Sequence, residues 1–304
     1  MTITSATSLE TGHVRRRQRA TIAPYLFIAP FFALFLTFFI APIFYAGYLS
    51  VFVDRIIGGV SFVGLENYGR VLTDPDFWSG LKRVVVYGLV QVPIMLLLAL
   101  TLALLLDAWK SRGRAAMQLT FFLPFAIPSV VAALMWGYMY GANFGVLTQI
   151  AEALGLGNPR FLSPTGILPS IGNIAVWATA GANMVILYSA LRSIPAELLE
   201  SSRLDGANEW QVTWHIKLPL LRSTLLFTAT LAIIAAMQLF TEPQVLQPIT
   251  PGSITNAFTP NVYAYTLIAK AQQYNLAAAV AFTLTAVILI VTGAFLLVTR
   301  KKTR

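Results

Sequence analysis

The sequence predicts an all-α, polytopic membrane protein with six transmembrane helices, and three observations carry that prediction. Of its 304 residues 57% are hydrophobic and only 11% charged, with a mean hydropathy of +0.72. Water-soluble domains do not have such a composition. Apolar runs also recur at the length of about 20 residues that a helix needs to cross a bilayer. Finally, Lys and Arg cluster beside these runs instead of spreading over one face. The net charge of +9 therefore reads as positive-inside topology and not as affinity for nucleic acid.

Each element follows from local chemistry. Residues 1–21 are polar and carry Arg15, Arg16, Arg17 and Arg19, which makes them a disordered cytoplasmic tail by composition. The run from Ile22 to Val53 is far longer than the roughly 7–15 apolar residues of a signal peptide, so it is read as an uncleaved first span. A mixed external segment from Asp54 to Lys82 follows. Span two, Val84 to Leu106, contains Pro93 as a kink point. It ends on Asp107, Lys110, Arg112 and Arg114, a cytoplasmic loop by its charge. Span three, Met117 to Tyr140, holds Pro124 and Pro128 and is expected to bend or unwind there. A Gly/Pro/Asn-rich external loop with a short helix over Val146 to Ala153 leads to span four, Ile167 to Leu191. Span five, Ser223 to Phe240, precedes a Pro- and Thr-rich external loop with an interfacial helix around Val262 to Gln273. Span six, Asn275 to Thr299, meets a basic cytoplasmic tail, residues 300–304. The membrane domain is thus 22–299, with both termini on the cytoplasmic side.

The polar interval 192–222, between spans four and five, is too patterned to be a simple connector. Pro195 suits a first helical turn, because its missing N–H has no partner to lose there. Glu197 and Glu200 favour the positive end of that helix. Ser201 and Ser202 give a low-profile surface, and Gly206 turns the chain where other residues are strained. Asn208 with Gln211 three residues on forms a capping-box pattern for a second short helix carrying Trp210, Trp214 and Ile216. Pro219 is expected to stop that helix. Read from composition alone, the same interval could rest on lipid headgroups through its tryptophans.

The order Glu200-Ser201-Ser202, then Gly206-Ala207, then Ile216-Lys217-Leu218-Pro219 resembles the EAA loop of membrane subunits of ABC importers. Ser-Ser stands where that family usually has Ala-Ala, a small-for-small exchange. The segment Phe62-Val-Gly-Leu-Glu-Asn-Tyr68 with Asp74-Pro-Asp-Phe77 is similar to the first external loop of the sugar-type permeases in that family. The resemblance implies a type I importer fold, with an N-terminal span wrapping a five-helix core. It also implies that Glu200, Ser201, Ser202, Gly206, Ala207, Ile216, Leu218 and Pro219 form a coupling helix docking on a cytoplasmic ATPase. The partners it implies are nucleotide-binding ATPase subunits, a second homologous permease, an extracytoplasmic solute-binding protein and the lipid of a prokaryotic inner membrane.

The residues themselves carry no catalytic centre. There is no Walker-type glycine loop, so ATP and Mg are expected on the partner and no cofactor on this chain. Cysteine is absent, and the two histidines, His13 and His215, show no metal-ligand spacing. Carboxylates are scarce within the spans, which disfavours a proton-coupled carrier. For the substrate path, amides and an indole face are the groups that bind sugars: Trp177, Asn183 and Gln238, with Asn173 and Glu242 nearer the outer side. Such groups also hydrogen-bond between helices without any ligand. Trp136, Tyr138 and Tyr140 read as interface-belt aromatics. Glycerol phosphate or another polar solute, an ion-coupled secondary transporter and a membrane scaffold without transport remain open alternatives.

Overall fold

A computed structural model describes residues 23–55, 57–109 and 113–301 of the chain. The N-terminal tail 1–21, the loop residues Lys110 and Arg112 and the end of the basic tail lie outside them. Two compact units, 1–46 and 47–304, make up the chain. In the first, helix α1 (Ala23–Phe35) runs into a π-helical turn, Leu36–Ile40, and then into α2 (Ala41–Ser50). Phe31, Phe35 and Phe39 stack along it at 6.0 and 5.8 Å, the four-residue spacing that brings side chains onto one helical face.

The second unit takes in the end of α2 from Gly47 and continues with an antiparallel hairpin, β1 (Phe52–Arg55) and β2 (Gly59–Phe62), followed by α3 (Glu66–Thr73). Here the Gly-Leu-Glu-Asn-Tyr motif has a structural role. Asn67 is buried and donates to the carbonyls of Ser50 and Phe52 at 2.9 and 2.8 Å. Asn275 donates to Leu49 O at 3.0 Å, and the Tyr68 and Ser50 hydroxyls pair at 2.8 Å. The bonds to Leu49 O and Ser50 O satisfy carbonyls that the end of α2 leaves without partners.

Helix α4 (Pro75–Ala108) is the hub. Asp74 caps its first turn through Asp76 N–H, with Pro75 in the N1 region, and the helix continues unbroken through Pro93. It packs on α8 (Ile167–Arg192), α11 (Leu218–Met237) and α13 (Pro260–Ala269). Between α4 and α8 the chain makes α5 (Arg114–Phe122), a 3-10 turn at Leu123–Ala126, α6 (Ser129–Met139) and α7 (Val146–Ala153). The bend expected at Pro124 and Pro128 is a 93° break. Among the described residues five helices are long and apolar enough to cross a membrane, and the bent pair 114–126 plus 129–139 makes a sixth where it forms one span. After α11, a short α12 (Thr241–Leu246) packs on α6, and α14 (Tyr274–Lys301) closes the bundle.

Close packing depends on small residues. A Cβ on Gly181 of α8 would stand 1.7 Å from Phe121 O, so the backbones of α8 and α5 meet only because the position is glycine. The Tyr263 hydroxyl donates to the Asp74 carboxylate, tying α13 to the start of α4. Burial and the neighbouring carboxylate push that hydroxyl's pKa up, so it stays a donor.

Candidate functional site

Two regions hold the residues singled out from the sequence. The first is the interval after α8, where α9 (Ala196–Leu204) is followed by α10 (Glu209–Val212). Pro195 is the N-cap of α9, one residue earlier than expected, and Glu197 lies in its first turn. Gly206 adopts φ +89°, with its N–H bonded to Arg203 O and the Ala207 N–H to Ser202 O. That pair of bonds is a Schellman closure, and a left-handed residue at its centre favours glycine. The capping box forms as well: Gln211 N–H donates to Asn208 Oδ1 at 2.9 Å, and Asn208 N–H to Gln211 Oε1 at 2.8 Å.

The result is a helix standing clear of the bundle, since no residue of α9 is buried. Glu200 and Ser201 are exposed and Ser202 is half-buried. The serine hydroxyls donate to Leu198 O and Leu199 O on their own helix, at 3.1 and 2.8 Å. Satisfied in this way, they present little more polarity than alanine. This explains how Ser-Ser can fill an Ala-Ala position.

Pro219 does not stop the second helix. The helical path continues from α10 through a π-helical turn, Thr213–Lys217, straight into α11. A proline ring clashes with the carbonyl four residues back, here that of His215, and the wider π-turn around His215 removes that clash. The same arrangement occurs at Leu36–Ile40 ahead of Pro42. Ile216 and Leu218 are half-buried at this junction, and Lys217 between them is buried.

The second region lies among α4, α6, α8 and α12. Asn173 donates to the Tyr140 hydroxyl at 2.8 Å, while Trp177 meets Trp136 edge-on at 5.6 Å. Trp136 continues to Tyr140 and Tyr140 to Phe161, at 5.5 and 4.9 Å. Trp136 and Tyr140 therefore belong to the interior and not to an interface belt, whereas Tyr138 is 61% exposed. Asn173 also lines a cavity of about 360 Å³ between α4 and α8, with Tyr87, Gln91 and Gly172. Asn183 lies six residues beyond Trp177 and donates to Thr179 O on its own helix. Gln238 is the C-cap of α11, with its side chain exposed and its carbonyl accepting from Asn261. Glu242 lies in the first turn of α12.

Two groups here were not singled out from the sequence as site residues. Trp136 Nε1 and Gln244 Oε1 are shielded from solvent and have no hydrogen-bond partner among the described residues. Unpaired buried polar atoms cost stability and are uncommon, which makes these two groups candidates for hydrogen bonds to a polar ligand. Only contacts across the fold could reveal them. Among the described residues no three His, Cys, Asp or Glu side chains gather as metal ligands.

Residues 95–304 match the family model "Binding-protein-dependent transport system inner membrane component". The chain is 31% identical over 281 residues to the arabinooligosaccharides transport system permease protein AraP of Bacillus subtilis, covering 88% of this chain and 86% of that one. It is 30% identical over 246 residues to the lactose transport system permease protein LacF of Rhizobium radiobacter, covering 80% and 82%. A bacterial alginate ABC transporter, solved in complex with alginate pentasaccharide-bound periplasmic protein, superposes with a TM-score of 0.82. That match covers 93% of this chain and 95% of the other at 22% identity, a likeness of fold. With its multi-pass helical bundle, the chain belongs to the binding-protein-dependent transport system inner membrane components, and is a transport subunit and not an enzyme.

Proposed function

We propose that this chain is the translocation-pathway permease of an ATP-driven sugar importer, and that α9 docks on a separate ATPase subunit. The observation that carries the reading is the free-standing α9, closed by Gly206 and held by the capping box between two spans. A rigid, exposed helix between two spans can transmit a push from a soluble partner into the bundle. ATP and Mg sit on that partner, and α9 and both termini face the cytoplasm. A second homologous permease completes the pathway, and an external solute-binding protein delivers the substrate. ATP at one end and the loaded binding protein at the other bias two packings of the helices, a coupling of sites that works in both directions.

Sugar as the substrate class is supported by the relatives, named for lactose and arabinooligosaccharides, and by the alginate transporter of like fold. The aromatic string Trp177–Trp136–Tyr140 with Asn173 supplies ring faces for the C–H surface of a sugar and an amide for its hydroxyls. The test is to identify what co-purifies from gently solubilised native membranes. An ATPase and a second permease are expected, and the ligand carried by the co-expressed binding protein then identifies the sugar. Purification without any ATPase, with uptake driven by an ion gradient, would overturn the reading in favour of a secondary transporter.

A further inference from the structure

We propose that the buried ion pair between Lys217 and Asp107 is the joint through which movement of α9 reaches the transport pathway. This rests on α9 being the ATPase-docking helix. Lys217 Nζ lies 2.6 Å from Asp107 Oδ2, across 110 residues of sequence, with the two side chains only 8% and 14% exposed. Between Ser193 and Leu218 only Val212 and Lys217 are buried. A push on α9 therefore reaches the bundle at its N-terminal end through Ile194, which packs on the core beside α8, and at its C-terminal end through those two residues and the start of α11. Of the two, only Lys217 makes a directional, charged contact.

Asp107 occupies an unfavourable place for helix stability. It lies in the last turn of α4, where the helix dipole is negative and repels a carboxylate. A buried ion pair is also weak evidence of net stabilisation, because desolvation offsets the attraction. What such a pair provides is register, since its geometry permits little sliding. The π-helical turn contributes to this: it ends on Lys217 and brings that side chain inward while Trp214 and His215 remain exposed. The other ion pair of the interval, Arg203–Glu209 at 2.8 Å, is exposed at 46% and 68% and bridges only α9 to α10. It holds the Gly206 turn but reaches nothing beyond it.

On the far side of the joint, α4 is continuous from Asp107 to Tyr87 and Gln91, which line the cavity shared with Asn173. The sixteen residues from Asp107 to Gln91 span about 24 Å of helix. A shift imposed at Lys217 is therefore carried along one continuous helix, through Pro93, to the substrate path. Lys217 and Asp107 are positioning residues that touch neither ATP nor sugar.

The test uses the full complex reconstituted in proteoliposomes with its ATPase, second permease and binding protein. The readout is the ratio of ATP hydrolysis with the binding protein, purified carrying its bound solute, to hydrolysis without it. Asp107→Asn and Lys217→Met should each lower that ratio about tenfold, a typical allosteric coupling. The charge swap Asp107→Lys with Lys217→Asp should recover most of it. Because a single change strands a buried charge and can impair folding, the apolar pair Asp107→Leu with Lys217→Met serves as the second variant. It should assemble normally and remain uncoupled. Wild-type ratios in the single variants or the apolar pair, or no recovery in the swap, would overturn the joint while leaving ATPase docking intact. Failure of the wild-type complex to bind any ATPase would instead overturn the docking of α9.

Discussion

Gly206 and Gly181 are both constrained positions on physical grounds, and the grounds differ. At Gly206 a Cβ would meet nothing within 4 Å, yet φ is +89°. The penalty for a branched side chain is therefore one of backbone conformation, about 1–2 kcal/mol. Gly206→Val should lower uptake and binding-protein-stimulated ATPase while insertion into the membrane stays normal. Gly206→Asn should retain most of both, since Asn tolerates left-handed backbone. At Gly181 the backbone is ordinary, and the obstacle is Phe121 O, 1.7 Å from a built Cβ. Gly181→Ala should therefore lower the yield and thermal midpoint of the detergent-purified protein, by overpacking worth about 1–3 kcal/mol. Gly293→Ala, where a Cβ meets nothing, is the matched control. The first of these constraints is legible in the sequence, because the turn is set by the residues around it. The second is not, because Phe121 and Gly181 are sixty residues apart and no pattern links them.

Among the elements, what the sequence revealed was local and what it concealed was tertiary. The capping box, the short helix Val146–Ala153 and the bend near Pro128 follow from residues within a turn or two, and each formed where expected. Pro219 reads as a terminator in the sequence because the compensating π-turn, Thr213–Lys217, has no composition of its own. Trp136 and Tyr140 look like belt aromatics until Trp177 and Asn173 of α8 are seen against them. The Gly-Leu-Glu-Asn-Tyr motif was legible only as a family mark, although its amide is buried at the end of α2. Asn67→Ala would strand the Ser50 and Phe52 carbonyls, each costing about 1–3 kcal/mol when left buried and unpaired. The expected result is a lower thermal midpoint and faster proteolysis in the hairpin Phe52–Phe62, with ATPase docking on α9 preserved. An unaltered midpoint would mean that water replaces the amide. On the pathway itself, Trp177→Ala should raise the KM for uptake severalfold more than it lowers kcat, because it removes a ring face and no coupling group.

At the scale of the whole molecule, the 93° break between 114–126 and 129–139 decides the topology. If the bent pair crosses the bilayer, six crossings put α9 and the start of α5 on one side and the loop carrying Asn158 on the other. If it dips in and returns, α5 and Asn158 share a side and the count falls to five. The helix α8 crosses regardless, so Asn158 and Ser201 are on opposite sides in both cases, and Ala115 discriminates. The natural absence of cysteine makes the experiment direct. Single substitutions Ala115→Cys, Asn158→Cys and Ser201→Cys, probed with a membrane-impermeant maleimide, should label Asn158→Cys from outside intact cells. The other two should label only in inverted vesicles. Charge argues for this outcome, because Arg114 and Arg192 flank the two proposed inner sites, and basic residues are retained on the cytoplasmic side. Geometry argues for it too. The α6 segment carries the Trp136–Tyr140 end of the aromatic string, and Tyr140 continues through Phe161 into the loop that holds Asn158. With Asn158 outside, a sugar entering from that loop would meet those rings first, at the end of the bundle opposite α9. Labelling of Ala115→Cys and Asn158→Cys from the same side would make the bent pair re-entrant and remove that order of contact.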